Sequence, residues 1–188
     1  MTFFTNLLYR FAQLIGGAFE NPKMLWIAMP LIITLIVVEL YFKKYKDEEI
    51  GWNTALTNAL VLFFVALNLF QVVFTYYQGT FWNRLFSTGF FISLIILIMG
   101  VVLFLADFFH KIPKKVAFLI SSHLFINTTA YVAIVIVYNG IPLDLATIVA
   151  WIILVVLLKA IFLLVRLLEP KSMKFDLHSL KSKSNLKK

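Results

Sequence analysis

No cysteine occurs among the 188 residues, which excludes disulfides, thiolate metal sites, thiol nucleophiles and cysteine-held iron–sulfur clusters. Histidine is scarce, at three, so a metal centre would have to lean on carboxylates. Charged residues make up only 14% of the chain, with nine acids against seventeen bases. The patterns G-x-S-x-G, H-E-x-x-H, the P-loop and G-x-G-x-x-G are all missing, so the common hydrolase, zinc and nucleotide signatures offer nothing. No tandem repeat is visible either. Asp107 and His110 stand at i+3, but they sit where an apolar run ends and read as ordinary interfacial polarity. No catalytic, cofactor or metal site is expected, and an enzyme is the least supported class.

What the chain has in excess is apolar sequence. It is 62% hydrophobic with a mean hydropathy of +0.93, whereas soluble domains are roughly 45–50% apolar. The apolar residues gather in five runs, 24–42, 54–77, 85–109, 116–138 and 145–168. A helix rises about 1.5 Å per residue, so a hydrocarbon core of about 30 Å needs about 20 such residues. The expected fold is therefore all-α: a polytopic integral membrane protein with five transmembrane helices. Nothing resembling an A-x-A cleavage site precedes the first run, so no removable leader is expected.

The charges between the runs predict an orientation. Twelve lysines fall on one side: Lys43, Lys44 and Lys46 after run one, Lys111, Lys114 and Lys115 after run three, and six in the segment 169–188. The other side has three bases, Arg10, Lys23 and Arg84. Retained Lys and Arg mark the cytoplasmic face, which puts the amino end outside and the carboxyl end in the cytoplasm, in the cell membrane. Trp26, Trp52, Trp82, Tyr76 and Tyr77 fall near run ends, where amphipathic rings sit at headgroup level, and Trp151 fits that belt less well.

The two ends differ from the runs. Residues 3–19 place Phe3, Phe4, Leu7, Leu8, Phe11, Leu14, Ile15 and Phe19 at helical spacing, with Asn6, Arg10 and Gln13 opposite. Two readings stand side by side: an amphipathic helix lying in the membrane interface, or one packed against the outer end of the bundle. The segment 169–188 is a basic cytoplasmic tail. Its lysines either attract anionic headgroups or merely fix orientation, and without an aromatic or glycine pattern beside them they do not suit nucleic acid.

Polar groups inside the runs are the candidate functional residues. Glu39 and Asp107 lie near inner ends. Lys159 is nine residues from the end of run five, about 14 Å deep. With Arg166 seven residues on, it forms a basic stripe expected to face the bundle. His123 and Asn127 share a face of run four, and Asn58 belongs to a polar stripe of run two. An inward cluster of Glu39, Asn58, Asp107, His123, Asn127 and Lys159 is expected. It serves either interhelical hydrogen bonding or a proton or ion path. Ala55, Ala59 and Ala66 on run two, with Gly89, Ser93 and Gly100 on run three, predict close packing of those two helices.

The functional expectation is a non-enzymatic structural or assembly subunit. The alternative is a small transporter or proton-coupled channel built on the polar cluster. The expected partners are the lipid bilayer and another membrane protein or a second copy of the chain.

Overall fold

The computed structural model describes residues 2–44, 52–110, 113, 116 and 119–167. Among them lie seven helices: α1 (Phe3–Glu20), α2 (Pro22–Lys44), α3 (Trp52–Tyr76), α4 (Phe81–Leu85), α5 (Thr88–Phe108), α6 (His123–Asn139) and α7 (Leu145–Leu167). The acidic loop after α2, the lysines at 111, 114 and 115, the Arg166 side chain and the basic tail lie outside the described residues.

Four helices, α2, α3, α5 and α7, are long and apolar enough to cross a membrane. The fourth run, 116–138, departs from expectation. Helical residues at 116, 119 and 120 give way at Ser121 and Ser122, and α6 begins only at His123. The reason is local: the Ser122 side chain accepts from the backbone N–H of Phe125 and caps a new helix. Its other end closes at Gly140, whose φ of 61° suits a residue without a Cβ. The resulting 17 residues span about 25 Å, less than a hydrocarbon core. Run three is trimmed for the same reason. Leu85 belongs to the short α4, and α5 starts after the Ser87 cap, which accepts from Phe90 N at 3.2 Å.

The short α6 is also the most enclosed element. It packs against α1, α2, α3, α5 and α7, and every residue from Ile126 to Val137 except Tyr131 is buried. A helix walled by protein along its length need not match the bilayer itself.

The predicted small-residue seam is present: α3 and α5 make the most extensive helix pair. A Cβ placed on Gly100 would lie 3.2 Å from the backbone N of Phe63 and 3.1 Å from Leu62 Cβ, so any side chain there would push the two helices apart by a few tenths of an ångström. Ser93 is fully buried and donates to Gly89 O at 2.7 Å, which leaves no unsatisfied hydroxyl in the seam.

The first helix combines features of its two expected placements. Leu14, Gly17 and Ala18 are buried where α1 packs on α7, α6 and α2. Phe3, Phe4, Leu8, Tyr9 and Phe19 stay exposed. Tyr131 donates to Ile15 O at 3.1 Å and Asn139 Nδ2 to Gly17 O at 3.3 Å. Arg10 pairs with Asp144 at 3.2 Å, while Asp144 Oδ1 accepts from Thr147 N at 2.7 Å and so caps α7. Burial pushes the Asp144 carboxyl up, but the bonds from Thr147 and the nearby Arg10 outweigh it and hold the group below the usual carboxylate range. Pro30 lies inside α2 without ending it.

Candidate functional site

The six expected polar residues are divided among three places around α6. Asn58 and Asp107 come together at its capped end. Asn58 Nδ2 donates to the carbonyl of Ser121 at 2.6 Å, and Ser121 Oγ donates to Asp107 Oδ2 at 2.8 Å. All three residues are buried. This ties α3 and α5 to the turn before α6. Ser121, the residue in the middle, was not among the candidates. The Ser121-Ser122 pair interrupting an apolar run is the signal that could have found it.

His123 is the first residue of α6 and is half-buried. Asn127 lies one turn further along, 3% exposed, followed by the equally buried Thr128. The Oδ1 of Asn127 and the Oγ1 of Thr128 have no hydrogen-bond partner among the described residues. Both residues line a cavity of about 220 Å³ whose other walls are Leu31 and Leu35 of α2 and Leu154 and Leu158 of α7.

Glu39 and Lys159 meet at a neighbouring cavity of about 520 Å³, bounded also by Ser122, Phe125 and Phe162. Phe162 borders both spaces, and the two together line the gap, or groove, between α2 and α7. Its floor is α6, on which α2 and α7 each pack. The paired depths of Leu31 with Leu154, and of Glu39 with Lys159, mean that α2 and α7 run in the same direction. One end of the groove is therefore apolar, and the other carries an acid and a base.

Lys159 does not point into a packed interior, as the basic stripe predicted; it is exposed on the groove. Apart from that basic stripe the helix is apolar nearly all round, and most of its surface is uncovered. A lysine within a span costs about 2.5–3.5 kcal/mol unless it finds a counter-charge or water. Lys159 makes no ion pair or hydrogen bond with a described residue. Trp151, the aromatic that did not suit the headgroup belt, packs on Phe125 with ring centroids 5.9 Å apart.

No group of three or more potential metal ligands occurs among the described residues. No protein-family model, curated protein or solved structure matches the chain.

Proposed function

We propose that this chain is a non-enzymatic integral membrane protein, a structural or assembly subunit with its amino end outside and its basic carboxyl segment in the cytoplasm against anionic headgroups. The four long apolar helices make it a multi-pass candidate, and the charge asymmetry of the connections supports the orientation. One observation carries the structural reading. The buried Asn58–Ser121–Asp107 chain of bonds ties α3 and α5 to the turn before α6, as interhelical ties in a membrane do. Bonds from Tyr138 to Asn68 and from Asn139 to Gly17 tie α6 to α3 and α1 in the same manner.

A second reading, transport, draws on the cavity of about 520 Å³ that reaches Lys159. The two are separated by reconstituting the purified chain in vesicles under a pH gradient and cross-linking it in native membranes. A subunit gives no proton flux and cross-links in fixed stoichiometry to another polypeptide or a second copy. A transporter gives a flux that Lys159→Met abolishes.

A further inference from the structure

Lys159 carries its charge at a depth where a bilayer has no counter-charge to give. It lies eight residues from the end of α7, about 12 Å along the helix. Its Cα–Cβ bond tilts toward the helix amino end, so reaching back toward the Leu167 end works against the geometry. Among the described residues the ammonium has no ion-pair or hydrogen-bond partner. Glu39 borders the same cavity, but it stands beyond ion-pair distance of the lysine and is already engaged in an interaction of its own. Lipid phosphates lie at the headgroup level and acyl chains are uncharged. A partner at this depth therefore has to arrive on another membrane-spanning segment.

The face around the lysine is open to receive one. α7 packs on α1 and α6, and only 11% of its apolar stretch is buried, against 22%, 39% and 33% for α2, α3 and α5. Ile152, Val156 and Leu163 share the lysine's side of the helix and are 50%, 61% and 57% exposed. We propose that this face of α7 docks a transmembrane helix of another polypeptide, whose Asp or Glu carboxylate pairs with the Lys159 ammonium. The cavity of about 520 Å³ beside Lys159 takes the carboxylate and the flank of the helix that carries it. Ile152, Val156 and Leu163 supply the aliphatic contacts on either side. Lipid tails are as apolar as those contacts, so an uncharged helix gains little here and the ion pair decides which helix is chosen. A second copy of the chain does not fit this role. The acids in its described spans are Glu39, already engaged, and Asp107, which is 1% exposed and bonded to Ser121. The inference rests on the reading of the chain as an assembly subunit, and names what its partner must carry.

The test places the full chain in phosphatidylcholine vesicles with a synthetic leucine-rich transmembrane peptide bearing one Asp at the depth of Lys159. Association is read by energy transfer between labels on the two. The wild type should bind the Asp peptide at least about tenfold more tightly than the same peptide with Leu in place of Asp, the gain from one charge-assisted contact. Lys159→Met should lose that preference and Lys159→Arg should keep it. Lys159→Glu should instead prefer a peptide bearing Lys. The wild-type comparison of the two peptides stands even where a variant fails to fold. Equal binding of both peptides by the wild type, an undiminished preference in folded Lys159→Met, or transfer between copies of the chain that Lys159→Met abolishes would each overturn the assignment. The subunit reading is separable. A chain that cross-links in fixed stoichiometry in native membranes, yet shows no preference for the Asp peptide, remains a subunit and loses only this docking face.

Discussion

Between α3 and α5 two backbones come close at Gly100, and Ser93, Asn58 and Ser121 nearby are each bonded. Asp107 is bonded through Oδ2 alone, and its buried Oδ1 has no hydrogen-bond partner among the described residues. Between α2 and α7 the helices stand apart over α6, with a lysine, a glutamate and two buried polar side chains along the gap. In a bilayer there is little hydrophobic drive between helices, so close packing and interhelical hydrogen bonds hold a bundle together. The seam has both, and the groove has neither in full. The seam is accordingly the part expected to contribute most to holding the fold, and the groove the part expected to contribute less.

The sharpest way to break this contrast is steric. Gly100→Leu drives a side chain into Leu62 and the Phe63 backbone, and overpacking of this kind costs about 1–3 kcal/mol or more. Leu158→Phe, which enlarges a half-buried residue beside the groove, should cost well under half of that. Unfolding in bicelles measures both, and equal losses would mean that the groove is as tightly packed as the seam.

A smaller effect is expected from the polar tie. Asn58→Leu removes the donor to the Ser121 carbonyl and should cost about 0.6–1.7 kcal/mol, the range for interhelical bonds in membranes. If stability does not change in the same assay, the tie contributes nothing to the fold.

Smaller still is the partly exposed Arg10–Asp144 pair that clips α1 to the start of α7, worth under about 1 kcal/mol. The Asp144 carboxyl sits below its ordinary value. Its contribution is therefore fully present above the unfolded value of about 3.9 and fades as pH falls through the lower folded value. A pH series of thermal midpoints should show this loss at acid pH in the wild type. Asp144→Asn should remove that component of the slope.

Much of the framework was legible because hydrocarbon thickness dictates run length. The predicted 24–42, 54–77 and 145–168 lie within two residues of α2, α3 and α7 at every boundary. The misses share one cause. Apolarity marks where a chain can be helical, but Ser87 and Ser122 decide where α5 and α6 begin, by offering a side-chain acceptor to the first free N–H groups. The small-residue seam was readable because glycine, serine and alanine at helical spacing have few other uses in a span. The polar cluster was only half readable. Asn58 and Asp107 meet, but through Ser121, whose part depends on the break before α6. Lys159 borders the groove over α6, the side toward which its basic stripe was expected to point, but in an open space and not in a packed interior.

The division between seam and groove is tested most directly by two thermal midpoints in the same phospholipid-free detergent, for Ser121→Ala and Lys159→Met. Ser121→Ala leaves the buried Asp107 Oδ2 without its donor, a loss of about 1–3 kcal/mol, so its midpoint should fall by several degrees. Lys159→Met should match the wild type. A Lys159→Met midpoint that falls as far as that of Ser121→Ala would contradict the division, because the lysine would then be one of the ties that hold the bundle together.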